Sequence, residues 1–103
     1  MTQNSHADAW FVYMIKCANG HLYTGITTDV ARRFNEHQLG GKKGAKYLKG
    51  KGPLTLVYKE RQHDRSVATK RELAIKKMTR EQKLGMIDSS KNLYIPALNV
   101  PKN

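Results

Sequence analysis

The run Trp10-Phe11-Val12-Tyr13-Met14-Ile15 is continuously apolar or aromatic, and it constrains the fold more than any other stretch. A strand with one face in water alternates, whereas a strand without alternation is covered on both faces. The run therefore predicts a central strand in a sheet layered on either side. Asn19-Gly20 follows as a turn signal, and Leu22 to Ile26 reads as the second strand of a hairpin.

The turn decides which side chains share a face. A two-residue Asn19-Gly20 turn pairs Ala18 with His21 and puts Tyr13 and Tyr23 on opposite faces. A three-residue loop, Ala18-Asn19-Gly20 with a left-handed glycine, pairs Cys17 with His21 instead. Tyr13, Ile15, Tyr23 and Gly25 then share one face. Val12, Met14, Leu22, Thr24 and Ile26 make a coherent apolar surface on the other. The second register buries the apolar residues better, so the two tyrosines are expected to meet. Gly25 would leave a gap beside them where a ligand's backbone can come close.

Thr27, Thr28 and Asp29 supply capping chemistry for a helix that ends at Gly40-Gly41. At about 100° per residue, Val30, Ala31 and Phe34 form its apolar stripe. His37 falls about 20° and Arg33 about 60° before Val30, on the edge of that stripe, while Arg32 points almost the opposite way. Leu54 to Tyr58 is a third short strand. Asp64 or Ser66 caps a second helix, with Val67, Ala68, Ala74, Ile75 and Met78 as its apolar face. Glu72 lies on the margin of that face, and Arg71 lies within it without an evident partner. Thr79-x-x-Gln82 has the capping-box pattern of a further short helix. The expected organisation is a flexible N-terminal tail (1–8), one domain (9–90) and a C-terminal tail with little regular structure (91–103).

A chain of 103 residues buries only about two thirds of its unfolded surface, so a surface groove is a more natural site than an enclosed cavity. Nineteen Lys and Arg stand against eight Asp and Glu, a formal charge of +11, which favours a polyanionic partner. Nucleic acid is preferred over a membrane surface, because neither a broad amphipathic face nor a long apolar run is present. Cys17 is the single cysteine. It allows no intrachain disulfide or cysteine zinc cluster and is read as a buried thiol. The first nine residues lack the basic start and apolar stretch of a signal peptide, which makes the cytoplasm the expected location. Residues 40–53 hold five glycines and the five lysines Lys42, Lys43, Lys46, Lys49 and Lys51. That segment is either a solvated connector or a phosphate-contacting one, and it lacks the P-loop pattern.

Taken singly, a strand tyrosine is packing, His37 a partly buried polar residue, and Glu72 a partner for Lys76. Together they supply what phosphodiester hydrolysis requires: a base for water, a cation for developing phosphate charge, and a carboxylate for a metal ion.

In order and spacing these residues resemble the GIY-YIG nuclease superfamily, and within it the small stand-alone YhbQ-like family, from about Trp10 to Gln82. Phe11-Val12-Tyr13 stands at the first motif and Tyr23-Thr24-Gly25 at the second, with ten residues between the tyrosines. Arg33 and His37 match the following helix, and Glu72 matches the metal-binding glutamate of the later one. Phe11 and Thr24 depart from the motif at backbone and packing positions. Asn92 and Asn99 are both available for a C-terminal asparagine of the family, and neither is assigned. The resemblance implies a three-stranded antiparallel sheet flanked by helices, and an endonuclease of low sequence specificity using one Mg²⁺ or Mn²⁺ on Glu72. It implies Tyr13 as general base with Tyr23 as partner, the two roles being exchangeable. It implies Arg33 on the phosphate, and His37 orienting a tyrosine or accepting its proton. DNA is expected before RNA, and a monomer is assumed. The alternative is a basic DNA- or RNA-binding module, ribosome- or nucleoid-associated, that cuts nothing.

Overall fold

The computed structural model describes residues 9–94. Segment 1–8, expected as a tail, and 95–103 with Asn99 lie outside the described residues. Strand β1 (Trp10–Lys16) is the centre of a three-stranded antiparallel sheet, between β2 (Leu22–Thr27) and β3 (Thr55–Gln62). The hairpin turns through three residues. Cys17 N–H donates to the His21 carbonyl at 2.9 Å, Gly20 N–H donates back to Cys17 at 2.9 Å, and Gly20 has a φ of 90°. Tyr13 is thereby opposite Gly25, and Ile15 opposite Tyr23.

Helix α1 (Val30–Leu39) starts at Asp29, whose carboxylate accepts the Arg32 N–H at 3.0 Å, and stops at a left-handed Gly40. Helix α2 (Arg65–Lys76) is capped by Asp64 rather than Ser66, and α3 (Arg80–Ile87) carries the expected capping box of Thr79 and Gln82. One face of the sheet packs Tyr13, Ile15 and Cys17 against Val30, Leu48 and Leu56. The other packs Val12, Met14 and Tyr58 against Ala68 and Ile75. No helix among the described residues is long and apolar enough to cross a membrane.

Three expected core positions prove exposed: Ala31, Val67 and Ala74. Helix α1 instead turns His37 inward, and α2 buries Ala68 and Ile75 with the half-buried Arg71 between them. Arg71 takes that place because Glu60 faces it from β3. Its Nε and Nη2 donate to the Glu60 carboxylate at 2.7 and 3.2 Å, and Tyr58 and Gln62 donate to the same group. A bulge in β3 makes this pairing possible. Met14 is opposite Tyr58 while Ile15 is opposite Leu56, so the extra residue Val57 sends Leu56 to one face and Tyr58 and Glu60 to the other.

Asn92 serves the bulge, not the candidate site. Its side-chain amide donates to the Val57 and Ile87 carbonyls, both at 2.9 Å, and its oxygen accepts the Lys59 N–H at 3.2 Å. The Leu93 N–H continues along the β3 edge to the Lys59 carbonyl at 2.8 Å.

Thr24 is buried against the α2 side with its Oγ1 unpartnered. A buried orphan hydroxyl costs roughly 1–3 kcal/mol. Thr24→Val keeps the shape and removes the hydroxyl, so it is expected to stabilise the fold by roughly 1 kcal/mol in thermal or urea denaturation. A destabilised variant would show that the hydroxyl has a partner.

Candidate active site

Tyr13 rises from the central strand, and its phenol crosses the edge strand β2 at Gly25. A Cβ at position 25 would stand 2.5 Å from the Tyr13 oxygen and 2.7 Å from the ring carbon that bears it. The gap expected to admit a ligand's backbone is therefore filled by Tyr13 itself. Glycine is needed here because an aromatic side chain uses the space.

His37 reaches the same hydroxyl, with Nε2 2.8 Å from Tyr13 Oη. Its other nitrogen, Nδ1, accepts the Ala45 backbone N–H at 3.0 Å. A ring nitrogen that accepts a hydrogen bond carries no hydrogen, so the neutral ring is protonated on Nε2 and donates to Tyr13. Burial first, and then the Arg33 charge, lower the His37 pKa to about 4, with Glu36 acting weakly the other way. The ring is neutral at pH 7. The Tyr13 hydroxyl, only 2% exposed as a residue, is pushed above the ordinary phenol range by burial and then by Tyr23. Arg33 opposes that rise, and Glu72 adds to it.

Tyr23 completes the cluster, its ring centroid 6.4 Å from Tyr13 and 5.6 Å from His37, edge-on to the imidazole. The Tyr23 hydroxyl has no hydrogen-bond partner among the described residues. Arg33 lies toward Tyr13 as the helical angles require, and its Nη1 donates to Glu36 at 2.9 Å and to the Lys43 carbonyl. Arg32 points to solvent.

The glycine- and lysine-rich segment is tied to this cluster at alternate residues. The Lys43 carbonyl holds Arg33, the Ala45 N–H holds His37, and the Tyr47 ring stacks on Tyr23 at 5.9 Å and 19°. Leu48, in a short 3₁₀ turn over Lys46–Leu48, is buried beneath it. The segment is thus no loose connector. Lys42, Lys43, Lys46 and Lys49 are exposed, and Lys51 lies 4.3 Å over the Tyr47 ring.

Glu72 comes from α2, which packs on the opposite face of the sheet, yet its charge adds to the upward push on the Tyr13 hydroxyl. It can do so because β2 is an edge strand and the Tyr13 phenol overhangs it at Gly25. The Glu72 side chain is 17% exposed and pairs with Lys76 Nζ at 3.1 Å. Tyr13, Tyr23 and His37 are in mutual contact, and the charges of Arg33 and Glu72 act on the Tyr13 hydroxyl in opposite senses.

The family model of the GIY-YIG catalytic domain matches residues 9–85. The chain belongs to the GIY-YIG family. It is 45% identical over 96 residues to the UPF0213 protein DP2720 of Desulfotalea psychrophila, covering 89% of this chain and 86% of that one. It is 54% identical over 74 residues to the UPF0213 protein YhbQ of Escherichia coli K12, covering 72% of each. Among solved structures, the solution NMR structure of the UPF0213 protein BH0048 of Bacillus halodurans superposes with a TM-score of 0.54 at 35% identity, over 91% of this chain and 95% of that one. The protein EF2693 of E. faecalis does so with the same TM-score at 38% identity, over 78% and 83%.

Within this GIY-YIG domain no group of three or more His, Cys, Asp or Glu side chains gathers to hold a metal among the described residues. Glu72 is a lone carboxylate beside the tyrosines. It suits a hard cation that fills its remaining positions with water and phosphate oxygens, provided Lys76 releases it. Glu36, the Ala45 amide and Tyr47 are the residues that sequence reasoning missed. Only the first carried a signal, an acid three residues after Arg33 on one helix.

The seat of His37 has a measurable pH signature. Its folded pKa of about 4 lies below the ordinary 6.5, so between these values the unfolded chain binds more protons. The stability it supports is full above pH 6.5 and lost as pH falls toward 4. His37→Gln is expected to lose less melting temperature than wild type across that window, whereas parallel losses would show that His37 does not titrate this way.

Proposed function

We propose that the chain is an endonuclease that hydrolyses phosphodiester bonds in nucleic acid, DNA before RNA, with low sequence specificity and one Mg²⁺ or Mn²⁺ held by Glu72. The domain at 9–90 would do this as a monomer in the cytoplasm. One observation carries the proposal. The Tyr13 oxygen receives a hydrogen bond from a neutral, tautomer-locked His37, with the opposite charges of Arg33 and Glu72 both acting on it.

As general base, Tyr13 must become a phenolate. His37 donates to its oxygen, so the tyrosine's own proton is not tied up in that bond and can leave. The same N–H and the Arg33 charge then stabilise the anion. Of the two roles left open by the sequence, His37 orients Tyr13 and does not accept its proton, because Nε2 already carries one. Burial opposes the deprotonation. Even an ordinary phenol, at a pKa near 10, must shift by roughly 3 units, or about 4 kcal/mol, to act near neutrality. A divalent cation bound at Glu72 supplies Lewis-acid stabilisation of phosphate charge and reverses the sign of the field at that position. Arg33 takes the phosphate in exchange for part of its contact with Glu36, and the unpartnered Tyr23 hydroxyl faces the substrate. The lysines of 42–51 follow the phosphate backbone without reading bases.

A second reading, a basic module that binds nucleic acid and cuts nothing, draws on the burial of Tyr13 and the capture of Glu72 by Lys76. Labelled DNA and RNA structures incubated with Mg²⁺, Mn²⁺ or EDTA separate the two. Tyr13→Phe is expected to lower the cleavage rate by roughly 10²–10⁴-fold. Glu72→Gln should abolish cleavage while nearly retaining affinity. Tight binding by wild type with no metal-dependent cleavage of any substrate would decide for the binding module.

A further inference from the structure

Beyond the tyrosine cluster, at the hairpin tip, a pocket of about 250 Å³ is lined by His21, Leu22, Tyr47, Arg80 and Lys83. Nothing in the hydrolysis chemistry uses it. Two of its walls are permanent cations, and neither Arg80 nor Lys83 pairs with a carboxylate among the described residues. Arg80 is oriented in advance, its Nη1 donating to the Gly20 carbonyl at 2.7 Å. The third wall is Tyr47, 45% exposed, with its hydroxyl 3.3 Å from His21 Nδ1. The lining contains no acid. This is the chemistry of a phosphate site: two cations, one of them held in place, a tyrosine hydroxyl and no competing anion.

The pocket is physically continuous with the candidate active site. Tyr47 stacks directly on Tyr23. Glu72 and Lys76 lie one turn apart at the end of α2, and Arg80 and Lys83 one turn apart at the start of α3, after the break at 77–79. Gly25 marks one end of the path on β2 and Leu22 the other, three residues apart, or about 10 Å at strand spacing. A nucleic-acid strand advances about 3.4 Å per nucleotide along a duplex axis, so a phosphate at the tip belongs a few nucleotides from one presented to Tyr13.

We propose that the pocket between Tyr47, Arg80 and Lys83 is a second phosphate-binding site, holding a backbone phosphate of the strand whose neighbouring linkage lies at the tyrosine cluster. Its place beside a scissile bond rests on the hydrolytic reading, but its affinity for phosphate does not. It would orient the strand along the outer edge of β2 and fix the direction in which it enters.

The test is binding in EDTA, where no metal-dependent cleavage can occur, read by fluorescence anisotropy on a labelled DNA duplex. The Arg80→Gln/Lys83→Gln double variant should bind more weakly, with a plot of log affinity against log salt flatter by about 0.9, the value of one lost phosphate contact. A series of the same duplex carrying one neutral methylphosphonate linkage at a time should reveal a linkage that weakens wild type and is silent in the double variant. Arg80 also braces the hairpin, so Lys83→Gln alone is the decisive control. Its side chain has no hydrogen bond to lose among the described residues, and its slope should flatten in the same direction, by at most about 0.9. Equal slopes for wild type and both variants, or identical linkage profiles, would overturn the proposal. Cleavage is assayed separately in Mg²⁺. If wild type cuts nothing, the hydrolytic reading falls, and the binding measurements still decide the phosphate site.

Discussion

The Tyr13 phenol lies where a side chain at position 25 would have to be. That exchange of volume between neighbouring strands carries Tyr13 from the buried centre of the sheet across its edge, into reach of His37, Arg33 and Glu72. It depends on the parity of the hairpin. Gly20 at positive φ closes a three-residue turn, places Tyr13 opposite Gly25, and sends every alternate residue of both strands to its proper face. A slip of one residue would put Tyr23 under α2 and leave the site without its second phenol.

Electrostatics and packing then work against each other inside the cluster. Burial favours the neutral forms of both Tyr13 and His37. For His37 this is an advantage, since a neutral ring can accept the Ala45 amide on one nitrogen and donate to Tyr13 from the other. For Tyr13 it is an opposing force that Arg33 offsets only in part. The resting site is therefore ordered but protonated, and it is poised toward an incoming charge. The carboxylate of Glu60 is handled differently on the other face. Arg71, Tyr58 and Gln62 surround it, and despite its burial their hydrogen bonds hold its pKa below the ordinary carboxylate value. One face carries a satisfied ion cluster that braces α2 against β3. The other carries a polar cluster in which the Tyr23 hydroxyl has no hydrogen-bond partner among the described residues.

The lysine-bearing segment 42–51 is tied to the tyrosine cluster at three points. The Lys43 carbonyl, the Ala45 amide and the Tyr47 ring contact Arg33, His37 and Tyr23 in turn. A loop fixed in this way loses less conformational freedom than a free one when a ligand orders it.

Much of this was legible from local chemistry. The apolar run at 10–15, the turn at 18–20 and the caps at Asp29, Asp64 and Thr79 state their structures within a few residues, because periodicity, glycine geometry and capping bonds are short-range effects. The helical angles of Arg33 and His37 likewise pointed to the sheet, and the family resemblance supplied Glu72. What only the tertiary structure decided depends on groups far apart in sequence. Arg71 turns inward because Glu60, eleven residues away, is turned toward it by a bulge at Val57, and Asn92 is occupied in bracing that bulge. Ala31, Val67 and Ala74 are exposed because polar residues with distant partners, His37 and Arg71, take the inward positions. The His37 tautomer depends on the amide of Ala45, a backbone group that no side-chain pattern reports. Composition and periodicity determine which surfaces want to be dry, but which polar groups can be buried beside them depends on long-range pairing, and that is settled only when the chain closes on itself.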